Sequence, residues 1–429
     1  MHSLTARRGF AAVTLSALLC ACGNDSTAPS GSGPNTSAVC PGINLGPAPS
    51  RLTLPPGAPA TMAILGNGLD TVRYQAEVAA RGTIAYTTSW GVRRVQGNKV
   101  SIWDVSGNVP VLIDSLILNG ATTTGDIAVS DDGRLLVVAT ERAPGSIFVY
   151  DLTNPRKPAL LSVYSTGNTN PGVHTAEVGR VNGKLYAFLS IDPVGTIPAR
   201  LVTVDLSAPA SPAEVFTKVI GNPYVHDTFV RNGLLFLALW NDGVQIWDIG
   251  GCGTGASPES PKVLGTVKTL GGDVHNIWWY NDPNGSKRFA FVGQEGFGVV
   301  GSQSSGDIHV IDLSDLSAPK EVAFYSVPGA GTHNFSVDET NGVLYAAYYN
   351  GGVRAIDVRG DLGTCDASQR ALDASSNLSR CDLRLMGREL ATGISNLAKP
   401  VYVWGVQYLN GSVYASDMLN GIWKLGAVK

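Results

Sequence analysis

Charge is scarce in this sequence. Only 15% of the 429 residues are Asp, Glu, Lys or Arg, and the formal net charge is -3. Nucleic-acid binding needs a concentrated basic face, so that class of partner is not expected. A membrane-spanning run is also missing from the start of the chain. The apolar stretch Phe10–Leu19 in "MHSLTARRGFAAVTLSALLCAC" is too short to cross a bilayer as a helix. Histidine and cysteine number six each, few enough that every one can be placed. No Ser-His-Asp or Cys-His pattern marks a nucleophile. "GQEGFGVVG" joins two strands rather than opening a helix, so it is no phosphate cradle.

What is present begins with a basic start (Arg7, Arg8), an apolar run and a small residue before Cys22. That order reads as an export signal over residues 1–21. "LCAC" resembles a bacterial lipobox, which implies cleavage before Cys22 and lipidation of Cys22, with Cys20 departing from the usual pattern. "RRGF" resembles part of a twin-arginine signal. Residues 22–60 are rich in Gly, Ser and Pro and are expected to form a flexible tether from membrane to domain. The location expected is the cell envelope, on the periplasmic or outer surface, with the membrane as partner through the N-terminal lipid. Cys40, Cys252, Cys365 and Cys381 then remain for an oxidising compartment, and four cysteines allow three pairings. Cys365 and Cys381 flank one polar insertion, which favours a local bridge and leaves Cys40 with Cys252.

Self-similarity is the strongest signal. An apolar run ending in Asp and a turn recurs as "VSIWDVSGNVP", "IFVYDLTNPRKP", "LVTVDLSAPASP", "VQIWDIGGCG", "IHVIDLSDLSAP" and "VRAIDVRGDLG". Its aspartates are Asp104, Asp151, Asp205, Asp248, Asp312 and Asp357, and each is expected to fold back on its own turn rather than act as a catalytic group. Before each of these lie two strands, in most repeats around Asn-Gly or Asp-Gly, a hairpin signal. The unit is strand A, tight turn, strand B, variable loop, strand C, Asp turn, strand D. It returns about every fifty residues, close to the period of four-stranded propeller blades. The hairpins begin near Tyr74, Asp126, His174, His226, His275, His333 and Trp404. The expectation is an all-β, seven-bladed β-propeller of four-stranded antiparallel blades over residues 61–429. The last blade lacks strand D, and "TMAILGN" near the N-terminus is expected to supply it.

The strand C motif, as "LVTVD", "IHVID" and "IFVYD" with S-x-P turns, resembles the LVIVD repeats of bacterial proteins. The resemblance implies a propeller and an exported, often surface-anchored protein. It brings no catalytic residue.

Aligned A strands put His174, His226, His275 and His333 at one position in four consecutive blades, with Trp404, Tyr74 and Asp126 at that position in the others. In a propeller that position rings one mouth of the central channel. B–C loops on the same face offer Trp90, Glu141, Asp192, Trp240, Asn241, Asp242, Gln294, Glu295, Tyr349, Asn350 and Asp417. Three readings share the histidines. They are inherited packing in a duplicated unit, a transition metal held by the four imidazoles, or an organic or protein ligand bound at the mouth. The second is similar in fold only to carotenoid oxygenases, and would imply a metal-dependent oxidoreductase or lyase. The main expectation is a binding platform without chemistry.

Overall fold

Strand formation follows from the pattern of burial. B strands such as Leu234–Ala238 are buried at every residue, because a neighbouring blade packs on each face. Outer strands such as Ala213–Gly221 are only partly buried, because one face meets solvent. The computed structural model describes residues 36–54, 57–221, 224–296, 298–372, 378–397 and 399–428. The expected signal, Cys22 and the first part of the tether lie outside them.

Among the described residues the chain forms seven blade sheets, each with a four-stranded antiparallel core of strand order A-B-C-D. Blades 1 to 6 start with the A strands Tyr74–Arg81, Ile127–Val129, Val173–Val181, Asp227–Arg231, Val274–Trp279 and Phe335–Asp338. Blade 7 holds Val403–Leu409, Ser412–Asp417 and Gly421–Gly426, and its outer strand is Ile64–Gly68, antiparallel to the last of these. The N-terminal strand therefore closes the circle as expected and removes a free edge. Two blades carry extra strands outside strand D: Ala60–Thr61, parallel, on blade 6, and on blade 5 Ser379–Asp382, parallel, followed by Arg370–Leu372, antiparallel to it. No helix among the described residues is long and apolar enough to cross a membrane.

The core lies between blades rather than at a single centre. Leu135, Val137 and Ala139 of blade 2, for example, pack on Ala187, Leu189 and Val202 of blade 3. The recurring chemistry of the repeats is local. All six Asp side chains accept the backbone N–H two residues on, from Ser106 (3.0 Å), Thr153 (2.5 Å), Ser207 (2.7 Å), Gly250 (2.8 Å), Ser314 (2.9 Å) and Arg359 (3.0 Å). They are turn residues, not a catalytic row.

Both expected disulfides are present, Cys40–Cys252 and Cys365–Cys381. They point to an oxidising compartment outside the cytoplasm. From Cys40 onward the segment assigned to the tether is packed, not free. Ile43 and Leu45 are 5% and 1% exposed and join the core beneath blades 4 and 5. A few apolar residues and one bridge suffice to dock a Gly/Pro-rich segment, and composition alone hides that.

Around the channel, polar side chains of one A strand bond the backbone of the next. Asp126 accepts from Ala176 N (2.7 Å), Glu177 from Val230 N (3.2 Å), Ser336 from Tyr408 N (2.9 Å) and Gln407 from Ala80 N (2.5 Å). Asn276, with its amide oriented to satisfy both atoms, donates to His333 O (2.9 Å) and accepts from Phe335 N (3.2 Å). Acidic and amide groups near the axis thus lace the blades together.

Candidate functional site at the channel mouth

The histidines occupy the entry into strand A, and in blades 3 and 5 the ladder bulges there. Val173 and Thr175 pair with Ile191 and Ser190, skipping His174, and Val274 and Asn276 skip His275 in the same way. Each skipped side chain is released toward the axis. Ring centroids then follow one another: His174 to His226 at 4.2 Å, His226 to His275 at 4.1 Å, His275 to His333 at 4.0 Å and His333 to Trp404 at 4.3 Å. Trp404 meets Trp90 at 5.2 Å, and Trp90 Nε1 donates to Glu141 Oε2 at 2.6 Å. Ligating atoms of Glu141 and His174 come within 4.8 Å, which completes the circle. Every blade gives one member.

Blades 1 and 2 depart from expectation. In blade 1 the bulge falls later, between Gln75 and Val78, and Tyr74 packs outside the mouth beside Leu419 and Met418. Trp90 takes its place. In blade 2 strand A starts only at Ile127, and Asp126 lies deeper in the channel, where it accepts Ala176 N and Ile127 N. Glu141 takes its place.

The mouth is a cavity of about 200 Å³ walled by Trp90, Tyr224, Trp240 and Trp404 over a floor of the four imidazoles, with Glu141 and Glu295 at its side. Trp240 stacks on His226 at 5.0 Å and 24°. It does so from a left-handed backbone (φ +48°), and Tyr349 repeats that conformation (φ +40°) in the equivalent turn two blades on. The carbonyls of Trp240 and Tyr349 accept from Val274 N (3.2 Å) and Val403 N (3.0 Å) of the following blades, which fixes both turns. Tyr224 is absent from the expected set. Its place two residues before His226 was the available signal, and the two rings lie 6.0 Å apart.

Five other expected binding residues serve the rim or the layer beneath it instead. Asn241 is exposed and Asp242 pairs with Lys268 at 3.1 Å. Asn350 Oδ1 accepts from Ser304 Oγ at 2.6 Å and holds the preceding loop. Asp417, fully buried, accepts Leu419 N at 2.9 Å in its own turn. Gln294 lies under the rim, its Oε1 3.4 Å from Asp307 N. His309 is buried at 0% exposure beside Glu321, with Nδ1 to Oε1 at 2.6 Å.

The imidazoles do not share one centre. Among the described residues the groups of three within ligand range are His226–His275–Glu295 and Glu141–His174–Asp192, and His333 belongs to neither. The seven-fold step around the axis spreads four successive rings along an arc, so all four cannot meet. His333 Nδ1 instead donates to the Trp404 carbonyl at 2.8 Å. Burial, then the neighbouring imidazoles, hold His226, His275 and His333 well below the usual histidine range, so they are neutral. Burial also works against a charge on His174, but Asp192 at 3.1 Å overrides it and raises the ring to about 10. Glu295 is pushed up to about 7 by burial, and its bond from the Tyr349 hydroxyl pulls the other way.

Beneath the ring the channel narrows to a cavity of about 40 Å³ and then widens to about 410 Å³. Glu77, Asp126, Glu177 and Asp227 line this lower part. Burial raises all four, Glu177 to about 8 and Asp227 to about 7.

The LVIVD repeat pattern matches residues 194–218 and 289–327. The chain carries LVIVD repeats. The first match covers strand C of blade 3 and enters strand D, and the second covers strands B to D of blade 5, Glu295 included. The LVIVD-repeat motif is thus the blade scaffold, and the ring side chains ride on it. A comparison with curated proteins gives no match.

Proposed function

We propose that this LVIVD-repeat propeller is an exported, lipid-anchored binding platform whose ligand, a small molecule or a projecting protein side chain, enters the histidine-bearing mouth. The observation that carries the reading is the concave wall of Trp90, Tyr224, Trp240 and Trp404 over convergent imidazoles. Ligand sites combine apolar and aromatic walls with a few placed polar groups in this way. The inter-blade lacing gives that wall a rigid base, which lowers the entropy cost of binding. An enzymatic reading, a metal-dependent oxidoreductase or lyase, would run through the same residues and depends on the ion considered below.

A thermal-shift screen of small aromatic and heteroaromatic compounds tests the site. Compounds that stabilise the wild-type protein and lose their effect on Trp240→Ala support the reading. Compounds that act equally on both contradict it. For the anchor, Cys22→Ser is expected to move the protein from the membrane fraction to the soluble fraction, and unchanged membrane association would overturn lipidation at that residue.

A further inference from the structure

We infer that the mouth holds one divalent transition-metal ion on His226 Nε2, His275 Nε2 and Glu295 Oε2. This deepens the binding reading and rests on the same mouth.

Geometry comes first. The two Nε2 atoms lie 3.9 and 3.8 Å from the same Glu295 Oε2. Those gaps are too long for hydrogen bonds. They fall within the roughly 4 Å that two ligands, each bonded at about 2.0–2.2 Å to one ion, can span. All three atoms lie within 4.8 Å of one another.

The donors are buried and under-used. His226, His275 and Glu295 are 4%, 3% and 8% exposed. Nδ1 of His226 and of His275 is buried with no hydrogen-bond partner. Stacking holds these rings in place, with Trp240 on one side of His226 and His275 on the other. An ion on the Nε2 lone pairs supplies the counter-charge a buried carboxylate needs.

Glu295 is aimed. Its other oxygen accepts the Tyr349 hydroxyl, and its backbone N–H donates to Asp273 O at 2.9 Å. A ligating carboxylate held by outer partners is the usual arrangement at metal sites. Asp273 itself has φ +50°, a third left-handed non-glycine residue around one site.

The second group is already paired without an ion, with only Asp192 Oδ1 left over. His174 pairs with Asp192 at 3.1 Å, and Glu141 takes the Trp90 N–H at 2.6 Å. Two imidazoles and one carboxylate suit Zn, Fe(II) or Co(II) rather than Mg or Ca, and leave positions open toward the aromatic wall.

The test uses the full exported chain, produced without a His-tag, stripped with a chelator and titrated with Co2+. The expected result is one Co2+ per chain with ligand-field absorption in the visible. His226→Ala, His275→Ala and Glu295→Gln each remove that absorption, while Asp192→Asn keeps it. Tyr349→Phe, which touches no ion, weakens Co2+ binding about 10–100-fold. Heat unfolding in chelator shows which variants fold, and Glu295→Gln retains an acceptor for Tyr349. No stoichiometric Co2+, absorption that survives Glu295→Gln, or absorption that follows Asp192 instead overturns the inference. If Co2+ fails while aromatic compounds still bind the wild type and not Trp240→Ala, the ion falls and the binding mouth stands. If Co2+ binds as expected but the compounds ignore Trp240, the reverse holds.

Discussion

Trp90 Nε1 donates to Glu141 Oε2 at 2.6 Å, and this bond joins blade 1 to blade 2 across the mouth. Glu141 sits where burial pushes its carboxyl above the usual range, so the donor matters. Trp90→Phe keeps a ring against Trp404 but strands the carboxylate. It is expected to lower stability by about 1–3 kcal/mol, read from urea unfolding. Tyr74→Phe, at the position that alignment proposed for the ring, is expected to change it by less than about 0.5 kcal/mol.

Glu177 gives the channel a pH signature. Its folded carboxyl is raised to about 8 from 4.5. Between those values the unfolded chain has lost the proton that the folded protein keeps, so unfolding releases protons and stability from this group falls as pH rises. Glu177→Gln stays neutral and can still accept the Val230 N–H. Its melting temperature is expected to match wild type at about pH 5 and to exceed it at about pH 9. A variant less stable at the higher pH would contradict the sign.

Asp248 separates the turn reading of the aspartates from any catalytic one. Its Oδ1 accepts from Gly250, Gly251 and Cys252, at 2.8, 2.9 and 3.1 Å, and Oδ2 accepts from Thr254 Oγ1 at 2.6 Å. Asp248→Ala leaves these buried donors unmatched, with an expected loss of about 1–3 kcal/mol or more. Asp205→Ala, in a more exposed turn, is expected to cost less than half as much. Neither change should alter ligand or Co2+ binding at the mouth.

The Cys40–Cys252 bridge spans 212 residues of sequence. Replacing both cysteines by serine frees the docked segment of Ile43 and Leu45 and is expected to cost about 2–5 kcal/mol. Denaturation midpoints of this variant and of the Cys365/Cys381 pair variant, each under non-reducing conditions, check it. The shorter loop is expected to give the smaller change.

The repeat made the scaffold legible. Asn-Gly hairpins, Asp turns and the missing last strand set the blade count and the closure by Ile64–Gly68. Four histidines at one repeat position led to the mouth for the same reason. What lay beyond reach was the local ladder. A bulge shifted between Gln75 and Val78 moves Tyr74 out of the circle, and alignment by residue type cannot see a bulge. Left-handed turns at Trp240 and Tyr349 decide which loop side chains turn inward, so Asn241 and Asn350 point elsewhere while Trp240 covers His226. The angular step between blades, not the identity of the side chains, keeps four imidazoles from one centre.

Difference electron density at the mouth, in crystals of protein purified from its native source, tests the binding account most directly. The account predicts ordered non-protein density between Trp240 and Trp404, above His226 and His275. Density consistent with bulk water there, together with an ordered ligand at another face of the propeller, would contradict it.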